Sequence, residues 1–129
     1  MKKHIPKNIN DLKAVEYLKS LPFETVRSDI PELLEFLQDF HWDIAHKVAP
    51  YLIPHINQIK HELLFILNSK DEEWKFHIIR GLIEHSANKL DEDLIKIIRR
   101  IAEQPTEREI QSDVDWAAKK IIANKLLCN

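Results

Sequence analysis

The seven histidines are the residues of this sequence whose types suggest chemistry first, because an imidazole ring can bind a metal or carry a proton. They are His4, His41, His46, His55, His61, His77 and His85. Two histidines bind one metal from the same helix when they lie three or four residues apart, since that spacing puts both rings on one face. No two of these histidines have that spacing. We therefore expect surface or half-buried histidines, no metal and no cofactor.

Other reactive residue types also lack the neighbours that catalysis needs. His61-Glu62 is missing the second histidine of the zinc-protease helix motif. The acidic run at 91–93 falls at the start of a predicted helix, where it favours the helix dipole. Cys128 lacks neighbours that would activate it as a nucleophile. A chain whose only glycine is Gly81 cannot form a glycine-rich phosphate loop. We predict no catalytic residue and no enzymatic activity.

Composition narrows the class of protein. The chain has 129 residues, 44% of them hydrophobic, which is enough for one domain over residues 1–129 without a disulfide or metal. Its 19 Lys plus Arg and 21 Asp plus Glu give a formal net charge of −2. A general nucleic-acid binder usually carries a clear basic excess, so that role is disfavoured. No apolar run reaches the length of a membrane span, and we expect a cytoplasmic protein.

The spacing of apolar residues predicts the helices that must position these side chains. Tight hairpins usually need glycine, and one glycine in 129 residues argues against a sheet protein. Apolar residues at i, i+3, i+4 and i+7 instead predict an all-α fold. The predicted helices carry the apolar sets Leu12–Leu21, Ile30–Phe40, Ile44–Ile53, Ile56–Leu67, Trp74–Ile83, Leu94–Ile101 and Val114–Leu126. Pro50 lies inside the third set and predicts a kink or an early end there.

Three segments share the pattern Asp-x-x-Trp, and together they contain every tryptophan of the chain. The tryptophans are separated by 32 residues (42 to 74) and 42 residues (74 to 116), a range typical of stacked helix pairs. Seven residues beyond each tryptophan lies a small residue. The three sets are Asp39, Trp42 and Ala49; Asp71, Trp74 and Gly81; and Asp113, Trp116 and Ala123.

This repeat has a direct physical interpretation. The aspartate caps a helix start, the tryptophan wedges between neighbouring helix pairs, and the small residue lets another helix approach. Asp39 has an alternative place at the end of the preceding helix, with Asp43 at the next start. The tryptophans could also anchor a partner, but their predicted place between neighbouring repeats favours a role in the core. This assignment is weakest for Trp42. The pattern predicts about six to seven helices stacked as antiparallel pairs.

Four motifs are distributed along the chain. They are Pro31-Glu32-Leu33-Leu34-Glu35-Phe36-Leu37-Gln38-Asp39, Trp42-Asp43-Ile44-Ala45, Asp71-x-x-Trp74-Lys75 and Pro105-Thr106-Glu107. Together they resemble a family of short bacterial proteins of unknown function that is thought to be HEAT-like. The resemblance extends from about Ile5 to Leu127 and implies a HEAT-like α-α superhelix. It implies no activity and therefore no catalytic residue.

The function most compatible with these features is binding of another protein without catalysis. HEAT-like stacks expose a concave face formed by the second helix of each pair, and here those helices begin near residues 43, 72 and 113. Alternating charges on them favour a polar protein partner, while the oligomeric state stays open. The predicted partner-binding face consists of Asp43, His46, Lys47, Lys75, His77, Lys119 and Lys120.

Two other functions remain as alternatives at this point. One is an immunity protein that neutralises a toxin, a role that suits small, helical, cytoplasmic and non-catalytic chains. The other is a DNA-repair glycosylase, because some HEAT-like stacks bind damaged DNA. The second alternative requires a basic track along the groove, and the near-neutral charge weighs against it.

Overall fold

The computed structural model of the chain describes residues 2–126, and all regular secondary structure in that range is helical. The all-α prediction is confirmed. Cys128 lies outside the described residues. No helix within them is long and apolar enough to cross a membrane. The α-helices are α1 Leu12–Lys19, α2 Phe23–Val26, α3 Ile30–Leu34, α4 Asp43–Leu52, α5 Lys60–Leu67, α6 Glu72–Gly81, α7 Glu92–Glu103, α8 Glu107–Gln111 and α9 Val114–Ile121.

Buried apolar residues from α1 to α9 form one continuous core. Helix α9 packs against α6 and α7, α5 packs against the same two helices, and α4 packs against α1. On α7, for example, Leu94, Ile98 and Ile101 form a fully buried face. Burial of each such side chain contributes roughly 1.5–3 kcal/mol. The amphipathic spacing in the sequence therefore determines which face of each helix turns inward.

Three predicted helices have different bounds in the structure. Helix α5 begins at Lys60, four residues after the predicted Ile56. The segment predicted from Ile30 to Phe40 is divided into α3 and a 3₁₀ turn at Glu35–Leu37. Helix α4 does not stop at Pro50 but continues to Leu52. Pro50 is exposed and lies close to the C-terminal end of the helix. Its missing N–H therefore removes only one backbone hydrogen bond, in the last turn, and the helix can continue.

The predicted cap of the Asp-x-x-Trp repeat is confirmed at α6. The Asp71 carboxylate accepts a hydrogen bond from the backbone N–H of Trp74 at 3.1 Å. This bond satisfies one of the free N–H groups at the helix start. It also fixes Trp74 in the first turn of α6, where its ring packs against the core.

The other two aspartates of the repeat do not cap the helices that follow them. Asp39 accepts hydrogen bonds from the backbone and the ring of His41, each 2.8 Å long, and α4 begins at Asp43. Asp113 has a left-handed backbone with φ of 60° and makes no capping bond. Such a residue ends one helix before the next begins, here between α8 and α9. The predicted cap is therefore wrong at Asp113 and at Asp39, and the alternative that places Asp43 at the start of the next helix is confirmed.

The small residues of the repeat also differ from one another. A Cβ atom added at Gly81 would lie 2.6 Å from Cε2 of Phe40 and closer still to two other ring atoms. The small residue at Gly81 therefore makes room for the ring of Phe40, which lies in a turn, and not for another helix as predicted. Ala49 is buried in α4, whereas Ala123 is exposed beyond α9. The predicted role is wrong for Ala123, because an exposed alanine does not make room for a packed helix.

Candidate binding cleft

An open cleft of about 750 Å³ lies between α4, α6 and α9. We call it the histidine cleft, because four of the seven histidines line it. These are His41, His46, His77 and His85, and the aromatic residues Phe40, Phe76 and Trp116 lie among them. Both polar and apolar atoms therefore face the same space, as in many sites that bind ligands or peptides.

Phe40 organises the inner wall of the cleft. Its ring stacks on His77 with a centroid distance of 5.7 Å and meets the edge of His46 at 5.3 Å. The ring Nε2–H of His46 donates a hydrogen bond to the backbone carbonyl of Phe40 at 2.7 Å. The Phe40 ring packs directly against Gly81, where a Cβ atom would overlap with it. These contacts hold two imidazoles in fixed orientations.

His77 is half-buried in this wall. Burial lowers the pKa of its ring, while the nearby carboxylates of Asp39 and Glu73 act in the opposite direction without cancelling the effect. The ring is consequently neutral at pH 7, with one nitrogen as a donor and the other as an acceptor. The cleft wall can thus form hydrogen bonds at this position without carrying a charge.

Trp116 stands at the rim of the cleft with 45% of its surface exposed. The Arg80 guanidinium and the Lys120 ammonium each lie 4.8 Å from the ring centroid, within the range of a cation–π contact. The Phe76 ring stacks nearby at 6.5 Å. The interpretation of this tryptophan as buried seam is wrong, because α9 turns its ring toward solvent and the cationic side chains.

The other two tryptophans have different surroundings. The indole N–H of Trp74 donates to the backbone carbonyl of Leu34 at 3.1 Å, and the ring is half-buried. Trp42 is also half-buried and packs against the core. Of the three, Trp116 is the one whose side chain is exposed and not half-buried.

Only some residues of the predicted partner-binding face lie close together in the structure. His46 and His77 meet in the cleft, and Lys120 lies at its rim beside Trp116. Asp43 and Lys47 are exposed on α4, outside the cleft lining. Lys119 forms an exposed ion pair with Asp115 at 3.3 Å.

Lys75 is wrongly assigned to that face, because it is buried with only 3% of its surface exposed. Its Nζ lies 2.6 Å from Oε2 of Glu109 and 2.8 Å from Oε1 of Glu72. It also donates to the backbone carbonyl of Ser69 at 3.2 Å. A buried ammonium requires such partners, so Lys75 belongs to an internal ion network and not to a binding surface.

Glu109 is the centre of this network and is completely buried. Burial alone would raise the pKa of its carboxyl group, but hydrogen bonds from Arg100, Lys75 and the Thr106 N–H lower it to about 2. Arg100 contributes two bonds, of 2.5 and 3.0 Å. Thr106 and Glu109 also form a capping box that starts α8. Sequence reasoning missed this network, although the Thr106-x-x-Glu109 spacing is the signature of that box.

A second buried carboxylate, Asp29, attaches the first residues of the chain to the core. His4 Nε2 lies 2.7 Å from Oδ2 of Asp29, and Lys2 Nζ lies 2.5 Å from Oδ1. Burial would raise the pKa of Asp29, but these two hydrogen bonds lower it below its usual value. His4 is therefore buried, and the prediction of a surface or half-buried histidine is wrong for it. The reason is its contact with Asp29, which lies 25 residues further along the chain.

Comparisons with known proteins give a family without an assigned role. Residues 4–122 match a family model described as "Domain of unknown function (DUF5071)". No curated protein matches the chain. Within residues 2–126, no three side chains of the histidine, cysteine, aspartate or glutamate type are grouped so that they could hold a metal ion. The geometry of the surface is thus the basis for a functional interpretation.

Proposed function

Because this chain belongs to the DUF5071 family, whose description assigns no function, we propose from its surface that it is a non-catalytic protein-binding module. The histidine cleft is the proposed binding site. The observation that carries the proposal is the exposed ring of Trp116 at the rim of the cleft, in contact with the cationic groups of Arg80 and Lys120. Tryptophan and arginine are the residue types most enriched at binding hot spots.

The position of the cleft supports the same function. HEAT-like proteins bind partners on a concave face formed by the second helix of each stacked pair. Helices α4, α6 and α9 begin near the three points predicted for those second helices, and all three line the cleft. Helix α5 packs on α7, and α6 packs on α9. These contacts support stacked pairs, because the first joins the first helices of two neighbouring pairs and the second joins their second helices.

The charge distribution supports a polar protein as the partner. The half-buried His77 is neutral at pH 7, whereas Arg80 and Lys120 carry positive charge beside the tryptophan ring. Arg80 is already paired with Glu84 at 2.6 Å, so the rim is not a continuous cationic track. A nucleic acid would need a larger excess of basic residues, which makes a DNA-repair role the weaker alternative. A cytoplasmic location remains part of the proposal.

We expect Trp116→Ala to abolish capture of the partner without unfolding the chain, because its ring is half exposed and contributes little to the core. Truncation of a central aromatic residue in an interface commonly costs about 2 kcal/mol or more, roughly a 30-fold loss of affinity. The measurement is affinity capture with the tagged full chain from lysate of its own host, followed by mass spectrometry and titration of the recovered protein.

Tyr17→Ala is the matched control, because Tyr17 is 46% exposed on α1 and is not among the residues that line the cleft. Retention of one dominant protein by the wild type and by this control, but not by Trp116→Ala, would support the proposal. Equal capture by all three would contradict the placement of the site. Recovery of nucleic acid that depends on Trp116 would favour the DNA-binding alternative instead.

A further inference from the structure

A second depression of about 620 Å³ lies between α3, α5 and the start of α6. We call it the phenylalanine groove, after Phe65 on α5, whose surface is 76% exposed. Its apolar lining is completed by Pro31, Leu34, Ile66 and Trp74. A large aromatic side chain that is three-quarters exposed beside other apolar groups forms a contiguous apolar surface, and such surfaces are often binding sites.

The floor of this groove is well packed and hydrogen-bonded. Leu34 and Ile66 are almost completely buried in the core. The Trp74 ring is held by the 3.1 Å bond from its indole N–H to the Leu34 carbonyl, and its backbone is held by the Asp71 cap. A surface that is already ordered loses little conformational entropy when a partner binds, which favours affinity.

The rim of the groove is acidic. Glu32, Glu35 and Glu62 line it together with His61. In the described part of the chain, Glu35 and Glu62 form no ion pair with a side chain, whereas Glu32 interacts electrostatically with the Lys2 ammonium. Neither lysine nor arginine is among the lining residues. Glu32 and Glu35 lie one helical turn apart, where two negative charges repel each other. Other carboxylates, such as Asp29 and Glu109, are neutralised within the protein.

We propose that the phenylalanine groove binds a basic segment of a partner protein, in which a bulky apolar side chain is flanked by lysine or arginine. The apolar side chain packs on Trp74 and Phe65, and the flanking cations pair with the carboxylates of Glu35 and Glu62. A cation placed over the exposed Phe65 ring gains a further favourable contact. This site is separate from the histidine cleft and does not depend on the function proposed for it.

The test uses random linear peptides displayed on phage and selected on the immobilised full chain. We expect enriched peptides to combine a bulky apolar residue with neighbouring lysine or arginine. For a selected peptide, Phe65→Ala should weaken binding about tenfold or more, since it removes the central aromatic contact. A Glu35→Gln/Glu62→Gln variant should bind more weakly and lose most of the salt dependence, because the screened charges are gone.

Trp116→Ala is the control that separates this proposal from the histidine cleft, and it should leave the affinity for these peptides unchanged. Because Phe65 is exposed, Phe65→Ala should keep the helical circular-dichroism spectrum of the wild type. The proposal is overturned if no peptide is enriched, if enriched peptides are acidic or uncharged, or if Phe65→Ala binds them equally well. A concentration-dependent dimer that Phe65→Ala dissolves would also overturn it, because the occupant would then be a second copy.

Discussion

Replacing Glu109 with glutamine should destabilise the fold by about 3 kcal/mol, because the buried Lys75 ammonium then keeps only the Glu72 carboxylate and Arg100 loses its own carboxylate partner. Lys75 is buried, and its ammonium lies 2.6 Å from the Glu109 carboxylate. The Arg100 guanidinium makes two further bonds to the same group. A neutral amide cannot compensate both cations, although it preserves the volume of the side chain. The measurement is urea unfolding at pH 7.

Glu107→Gln is the matched control for this experiment. Glu107 is exposed in the first turn of the same helix, α8, so it reports the effect of losing one negative charge there. That effect should be less than about 1 kcal/mol, because an exposed charge near a helix N-terminus contributes little. If both variants unfold at the same urea concentration, the buried network does not stabilise the protein as argued.

The same carboxylate should make part of the stability depend on pH. The pKa of Glu109 is about 2 in the folded chain and 4.5 as the ordinary value. Because the folded value is the lower one, the contribution is fully present above about pH 4.5. It is lost as the pH falls through 2. That shift corresponds to about 3 kcal/mol. The difference in unfolding free energy between the wild type and Glu109→Gln should therefore shrink over this window, and a constant difference would contradict the assignment.

Helix positions follow from local information in this chain, whereas the ion network does not. The 3.6-residue period of Leu94, Ile98 and Ile101 predicts the buried face of α7 without knowledge of its neighbours. The burial of Lys75 depends on Glu109, 34 residues further along the chain. On its own helix, Lys75 looks like an exposed cation beside acidic residues. Its position in the sequence therefore led to the wrong face.

The exposure of Trp116 has a similar explanation. The interval from Trp74 to Trp116 is 42 residues, which is 10 longer than the 32 from Trp42 to Trp74. Helix α8, at Glu107–Gln111, lies within that longer interval. Asp113 then ends α8 in a left-handed conformation, so α9 begins without the cap that fixes Trp74 on α6. An extra helix breaks the repeat at this point, and spacing alone did not reveal it.

The convergence of His46 and His77 was partly predictable. Both were placed on second helices of the predicted pairs, and both line the histidine cleft. What joins them is Phe40, whose ring contacts both imidazoles. The sequence predicts Phe40 only as the last apolar residue of the helix before α4, and its role in the cleft depends on the tertiary approach of α6. The space for that approach comes from Gly81.

Gly81→Ala should therefore destabilise the protein by about 1–3 kcal/mol, the usual cost of overpacking. In most helices this substitution is favourable by roughly 0.5–1 kcal/mol, because alanine restricts the unfolded backbone. Here the added methyl group would lie 2.6 Å from Cε2 of Phe40 and closer to Cζ and Cε1. The end of the ring must move, and its contacts with His77 and His46 move with it.

A double-mutant cycle with Phe40→Leu separates the clash from other effects. In the Phe40→Leu background, Gly81→Ala should be neutral or stabilising in urea unfolding, since the ring atoms that it meets are absent. The interaction energy between the two positions should then be about 1–3 kcal/mol. Equal costs in both backgrounds would show that Phe40 is not the obstacle. A positive result would mean that the absence of one Cβ atom determines the position of the cleft wall, so that the only glycine of the sequence serves packing and not backbone freedom.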